Sequence, residues 1–412
     1  MSRVLLLTPN TPYPTDSGGA QRTFLLYQAL RQRYEVDLVL VNDDVLSEEA
    51  RQILTSQFNL KAQIYPDGGG SGPRQWTLPV RPLNTVLSWL VRLALGSRLT
   101  LFKSPAMSTA LSKVLDEASY SAIVCRYMWP ASQTGAYGRV PVFVDVDDLP
   151  SETWLSQAAS AKRRVVAWMG RWVAQSYAAG EQRELQSAAG VWVVKDKDMS
   201  VWQGRQACLL PNMPFAAYPD GVRPLPVAPA DKPVVIGVGL FDWEPNKKGF
   251  DWFVRQVWPK VHQQIPVAEL HLVGKLTDTQ IAANWKAVPG VRYLGRVADL
   301  EAQYRLATIA VAPIFAGGGT NIKVIEALAM GRPCVVSPHA AKGFEQLQGL
   351  HVAADESVFA NACVSLLKRP EGIRIEEAGQ ASAAANQAFS FDGFASAVLA
   401  VMDPTTTGRS IQ

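Results

Sequence analysis

The sequence predicts an α/β protein built from two doubly wound domains that face a cleft. Three observations carry this. Short apolar runs alternate with stretches of helical spacing, the alternation restarts near Val234, and a proline-dense segment separates the two series. The chain of 412 residues also exceeds one ordinary core and suits two domains of about 200 residues each.

In the first series, Val4 to Thr8 is a compact apolar strand followed by a turn rich in proline, serine and glycine. From Ala20 to Arg33 the apolar residues Phe24, Leu25, Ala29 and Leu30 fall on one side of a helix. Glu35 to Val41 returns as a strand. Strand, turn, helix and strand in this order form a βαβ unit, which requires a parallel sheet. Further strands are expected at Ala122 to Arg126, Val140 to Val144 and Val191 to Val194. Asp67 to Arg74 (DGGGSGPR) is flexible by composition. Pro211 to Pro233 holds seven prolines, a density that blocks helix and central strand alike and suits a connector.

The second series places strands at Val234 to Val238, Glu269 to Val273 and Val291 to Leu294, the last two closed by Gly274 and Gly295. Helices are expected at Phe250 to Gln263 and Leu300 to Leu306. Ile309 to Ala312, Cys334 to Ser337 and His351 to Ala353 complete the sheet. The resulting boundaries are residues 1–213 for the first domain, 214–233 for the linker and 234–388 for the second domain. Residues 389–412 form a C-terminal helix and tail expected to pack back on the first domain. In such sheets ligands bind at the carboxyl ends of the strands.

A hydrophobic content of 48% with 18% charged residues is that of a globular chain. The net charge of +4 is too small to argue for a nucleic-acid partner. Cys125, Cys208, Cys334 and Cys363 lie far apart with neither pairing nor metal-ligand spacing, which fits reduced thiols in a cytoplasmic protein. The four histidines form no cluster either, and no metal is expected. The opening MSRVLLLTPNTPYP is too short for a signal peptide and is cut off by Pro9 and Pro12. Nothing approaches the roughly 20 uninterrupted apolar residues of a spanning helix.

The most informative segment is AGGGTNIKVIEALAMGRPCVVSP, Ala316 to Pro338. Successive glycines let backbone approach a ligand closely, and the helix that follows offers unpaired N–H groups and a positive dipole end. Gly319, Thr320, Asn321 and Ile322 supply that helix start, Lys323 adds a cation, and Glu326 offers a carboxylate for sugar hydroxyls. Anion grip beside hydroxyl grip suits a nucleotide-sugar. A second cationic group, Asn246, Lys247 and Lys248 in VGLFDWEPNKKGF, stands between a strand end and the next helix, where it would neutralise a diphosphate leaving group. In the first half, Ser17-Gly18-Gly19 makes another glycine turn before a helix.

These segments resemble glycosyltransferase family 4, the retaining group 1 enzymes of GT-B architecture with two Rossmann-like domains. VRYLGRVADLEAQYRLATIAVAP running into GGGTNIKVIEALAMGRPCVVSP is similar to that family almost element by element. GLFDWEPNKKGFDWF resembles a branch from bacterial polysaccharide and exopolysaccharide clusters. SGGAQR, VDVDD followed by Trp154, and PNMP agree with it in the first half. The resemblance implies an acceptor-binding first domain and a donor-binding second one. It implies that Glu326 binds the donor ribose, that Lys248, with Lys323 as a further cation, serves the diphosphate, and that Arg296-Val297 reads the base through backbone. Gly19 would line the donor site from the other domain. It also implies front-side displacement, with the donor phosphate taking the acceptor proton and no metal or other cofactor beyond the nucleotide-sugar co-substrate. The chain departs from the family twice: Gly318 stands where a first glutamate is frequent, and Leu240 where an arginine is.

Two further segments carry expectations. Asp145, Asp147 and Asp148 follow a strand and read as a loop of solvated acids, or less simply as a divalent-metal site. Ala161 to Gln182 interleaves Lys162, Arg163, Arg164 and Arg171 with Val165, Trp168 and Trp172, a pattern suited to an anionic membrane surface where lipid-linked acceptors reside. The expected partners are therefore a nucleotide-sugar donor, a glycan or lipid-linked acceptor and the inner face of the plasma membrane. The competing classes are a nonhydrolysing nucleotide-sugar epimerase, which needs acid/base pairs this chain lacks, and a non-catalytic nucleotide-sugar binder, with which Gly318 and Leu240 are compatible.

Overall fold

The computed structural model describes residues 2–15, 17–66, 103–147, 149–159, 163–194, 199, 206–214, 219–228, 231–317 and 321–403. The glycine-rich segment Asp67 to Arg74 and the positions Gly318, Gly319 and Thr320 lie outside them. Two compact units form, one from Met1–Pro211 with Asp392–Gln412, the other from Asn212–Phe391.

The first unit is a seven-stranded parallel sheet of β1 (Arg3–Thr8), β2 (Glu35–Val41), β3 (Leu60–Ile64), β4 (Ala122–Arg126), β5 (Val142–Val146), β6 (Gly190–Val193) and β7 (Gln206–Leu209). Its spatial order is β3-β2-β1-β4-β5-β6-β7, so the winding reverses between β1 and β4. The second unit has six parallel strands, β8 (Val234–Val238), β9 (Glu269–Val273), β10 (Val291–Gly295), β11 (Ile309–Ala312), β12 (Cys334–Val336) and β13 (Leu350–Val352), in the order β10-β9-β8-β11-β12-β13. Here the reversal falls between β8 and β11. Both units are doubly wound α/β sheets. Central strands are apolar on both faces because helices cover both: Val4, Leu5, Leu6 and Leu7 are wholly buried.

Side-chain caps fix several helix starts. Ser17 accepts from the amide of Ala20 at the head of Gly18–Arg31, and Asp278, Asp299 and Asp355 do the same for the helices that follow them in the second unit. The helix expected to begin at Phe250 begins earlier, as Glu244–Trp252, and continues through a π-helical turn, Phe253–Val257, into Trp258–Gln264. Pro245 permits this, since proline in the first turn lacks only an N–H that has no helical partner. Asn246, Lys247 and Lys248 therefore lie inside this helix rather than ahead of it.

Residues 221–228 run along the second unit as an irregular strap. Arg332 donates to the carbonyls of Leu225 and Pro226, Arg374 to that of Ala228, and Asn386 holds the Val222 carbonyl and amide. The C-terminal helix, Phe391–Met402, groups from Asp392 onward with the first unit. There the carbonyl of Ala397 accepts from the Trp192 indole at 3.2 Å, and Val401 presses on Gly190. Cys125, Cys334 and Cys363 are buried free thiols, and Cys208 is partly exposed. Among the described residues no helix is long and apolar enough to cross a membrane.

Candidate functional site

In the second unit the carboxyl ends of β8, β9 and β10 are carpeted by glycine backbone. Gly239 N–H donates to the Val273 carbonyl and Gly274 N–H to that of Gly295. Gly274 has a φ of 143°, and a Cβ there would stand 1.7 Å from the Gly239 carbonyl oxygen, so only glycine lets these two loops touch. Tyr293 ties the floor together by accepting from the Leu276 amide at 3.0 Å and donating to the Gly274 carbonyl at 3.1 Å.

Beside this floor begins the helix Ile322–Ala329. Asn321 occupies its cap position without a side-chain bond to the first turn, so among the described residues this position leaves the leading amides without a side-chain cap. Val324, Ile325, Ala327 and Leu328 are fully buried and anchor the helix, which fixes Lys323 and Glu326 on its remaining face. Lys323 Nζ donates to Asn246 Oδ1 at 3.0 Å, and Asn246 Nδ2 donates to the Leu240 carbonyl at 2.9 Å. This chain links the helix start to the loop after β8.

Both titratable groups are displaced. Lys323 keeps some exposed surface, but its ammonium is crowded by protein atoms, and loss of water pushes its pKa down to about 8. Burial pushes the Glu326 carboxyl up to about 7, opposed by a hydrogen bond from the Tyr304 hydroxyl at 3.2 Å and by the Lys323 charge. Tyr304 is itself buried, its carbonyl held by Arg332 at 2.8 Å. An amine and a carboxyl, one turn apart and displaced in opposite directions, are a combination that clusters at functional sites.

Not every expected residue joins it. Lys247 and Lys248 both lean on Glu244, at 2.7 and 3.4 Å. Asn246 and Lys248 leave their helix about 200° apart, so with Asn246 facing Lys323, Lys248 faces away. It stands instead at the mouth of an open cavity of about 510 Å³ walled by Pro245, Trp252, Phe315 and Ala316. Arg296 and Val297 follow β10, the first exposed and the second half-buried, two strands from β8. Ile322 is the first residue of its helix, while Gly319 and Thr320 fall outside the described residues. Gly18 and Gly19 open the first helix of the other unit.

The solvated-acid reading of Asp145 is overturned. Asp145 lies within β5 with no exposed surface, and Arg22 grips it at 2.9 and 2.6 Å while Arg126 adds a bond at 2.8 Å. Its oxygens are spent on guanidinium groups, which hold its carboxyl below the usual range against the opposing effect of burial. Asp145 and Asp147, both held by guanidinium groups, do not present a divalent-cation pair, and Asp148 lies outside the described residues. Spacing alone missed this, because the signal lay in arginines from two other elements. Tyr304 was missed for the same reason.

The comparisons with known proteins bear on the fold and the class of protein. Residues 232–369 match the model for "Glycosyl transferases group 1", and residues 17–194 match that for "Glycosyl transferase 4-like domain". The fold is similar to that of sucrose-phosphate synthase from Thermosynechococcus elongatus, at 17% identity and a TM-score of 0.63, over 96% of each chain. It is similar to Anabaena HepE in complex with UDP and glucose, at 13% identity and a TM-score of 0.62, over 98% of this chain and 99% of that one. Staphylococcus aureus TarM, solved with fondaparinux, α-GlcNAc-glycerol and UDP, gives 9% identity and a TM-score of 0.64 over 98% and 100%. No curated protein matches the sequence significantly. Two doubly wound units of this kind define the GT-B architecture. With both domain models matched side by side, the chain is a GT-B glycosyltransferase.

Proposed function

We propose that this enzyme moves a sugar from a nucleoside-diphosphate donor to a glycan or lipid-linked acceptor in cell-surface polysaccharide synthesis, with retention of configuration. The observation that carries the donor half is the Lys323–Asn246 link at the start of Ile322–Ala329, with Glu326 one turn further on. The diphosphate would lie on the helix amides and the Lys323 ammonium, over the Gly239 backbone, and the ribose hydroxyls would bond to Glu326. Similarity to structures solved with UDP supports a nucleotide of that class. The negative charge that develops on the leaving diphosphate is met by amides and an amine, so the reading needs no metal cofactor.

The sequence resemblance supports retention. In that course the departing phosphate oxygen receives the acceptor proton as the new glycosidic bond forms, and no dedicated protein base is required. The lipid-linked acceptor is supported by the helix Arg164–Leu185. Val165, Trp168 and Trp172 are exposed at 67%, 61% and 36%, and Arg163, Arg164 and Arg171 are exposed beside them. Tryptophan beside arginine suits the interface of an anionic bilayer on the cytoplasmic side.

A thermal-shift panel of UDP, GDP and ADP tests the donor half. One of them should raise the melting temperature of the wild type by mass action and raise that of Lys323→Ala by clearly less at the same concentration. A panel in which none of the three shifts the wild type refutes the assignment.

A further inference from the structure

The carboxyl ends of β1 and β4 hold a polar constellation that donor binding does not use. Arg126, the last residue of β4, is completely buried. It donates to the Tyr127 hydroxyl at 3.0 Å and to Asp147 Oδ2 at 3.2 Å, besides its bond to Asp145. Its Nε has no partner among the described residues. The Tyr127 hydroxyl lies 3.4 Å from Asn10 Nδ2 and 3.5 Å from Asp147 Oδ2. Asn10 follows β1 and rests against Gly19, where a Cβ would come within 2.8 Å of its Nδ2. Tyr127 sits at a φ of 62°, a region few residues other than glycine adopt and one often met at functional sites. Asp147 keeps 18% of its side chain exposed, and Asn10 and Tyr127 are half-buried.

We propose that Asn10, Tyr127 and Asp147 form a binding site for the hydroxyl groups of the acceptor's sugar. Topology favours the place, because the winding of this sheet reverses between β1 and β4 and a reversal opens a crevice at the strand ends. Charge favours the ligand class. Arg22 and Arg126 are balanced by Asp145 and Asp147, so among the described residues of this cluster there is no excess cation for an anion and no group of acids that could hold a metal. What reaches the surface is a carboxylate, an amide and a phenol, the groups that accept from and donate to a neutral polyol. Arg126 acts as a positioning residue that fixes Asp147 and Tyr127 from below. The proposal rests on the glycan-acceptor reading above.

Saturation-transfer NMR with the methyl glycosides of glucose, galactose, mannose and N-acetylglucosamine tests it on the full chain, beside a UDP titration. At least one glycoside should bind the wild type, and Asp147→Asn and Tyr127→Phe should each weaken it by roughly tenfold or more while UDP affinity stays unchanged. Absence of binding by all four glycosides overturns the proposal, as does equal binding by wild type and both variants. If Asp147→Asn fails to fold, Tyr127→Phe, which removes one oxygen, decides alone. Loss of UDP binding with glycoside binding intact would sink the donor assignment and leave this one standing.

Discussion

Lys323 and Glu326 should make the proposed donor site sensitive to pH on both sides of neutrality. Glu326, raised from 4.5 to about 7, holds its proton in the folded chain after the unfolded chain has lost it. Its contribution to stability is therefore full below pH 4.5 and is lost as pH rises towards 7. Lys323, lowered from 10.5 to about 8, costs stability while charged, a cost relieved as pH climbs from 8 to 10.5. A bound diphosphate needs the opposite state of the lysine. Nucleoside-diphosphate affinity should rise as Glu326 ionises near pH 7 and fall as Lys323 deprotonates above about pH 8. Calorimetric titration across that range checks it. Lys323→Arg should abolish the alkaline fall, and Lys323→Ala should weaken binding roughly ten- to a hundredfold, the worth of a hydrogen bond to a charged group. A flat profile in the wild type would show that neither group touches the ligand. Gly249 is a separate residue-scale case. A Cβ there would stand 1.8 Å from the Pro313 carbonyl oxygen, so Gly249→Ala should cost about 3 kcal/mol in chemical denaturation.

At the scale of elements, the strands that were legible were those buried on both faces. Glu35–Val41, Ala122–Arg126, Val234–Val238, Glu269–Val273 and Ile309–Ala312 fall where their apolar runs predict. Leu60–Ile64 and Gln206–Leu209 were not foreseen, because both lie at the edge of the sheet and mix polar with apolar residues. The early start of Glu244–Trp252 was hidden by a run, EPNKK, that reads as a polar turn. That misreading had a chemical consequence, since helical geometry parts Lys248 from Asn246. The helix carrying Lys323 and Glu326 was legible, whereas the Tyr304 bond to Glu326 depends on long-range packing. The helix Arg164–Leu185 allows an element-scale test. Its partner Pro150–Ala159 packs closely at Gly170, where a Cβ would meet that of Ala158 at 2.8 Å, so the exposed face can be altered without touching that contact. The double variant Trp168→Asp, Trp172→Asp should lose flotation with phosphatidylglycerol vesicles and keep its melting temperature within a few degrees. Flotation equal to that of the wild type would remove the bilayer from the list of partners.

For the whole molecule, the C-terminal helix ties the end of the chain to its beginning. Phe394, Ala395, Val398, Val401 and Met402 are buried, and Asp403 pairs with Arg33 at 3.0 Å. Phe394 also lies under the Arg22 guanidinium, 5.7 Å from its centre, and Arg22 is the residue that clamps Asp145 from one side. Each large side chain of this set contributes about 1.5–3 kcal/mol by leaving water, and together they approach the roughly 5–15 kcal/mol that holds a domain folded. Ending the chain after Ser390 should therefore unfold the first unit while leaving the proposed diphosphate site of the second untouched, since no residue of that site belongs to the removed segment. Hydrogen exchange resolves the two. Amides of β1, β4, β5 and β6 should lose protection, and those of β8, β9 and β11 should keep it. A milder variant, Phe394→Ala, should cost about 3–5 kcal/mol within the first unit alone. Equal loss of protection in both units would mean that they fold as one cooperative body, and the division of labour between donor and acceptor sites would then have to be tested on the intact chain only.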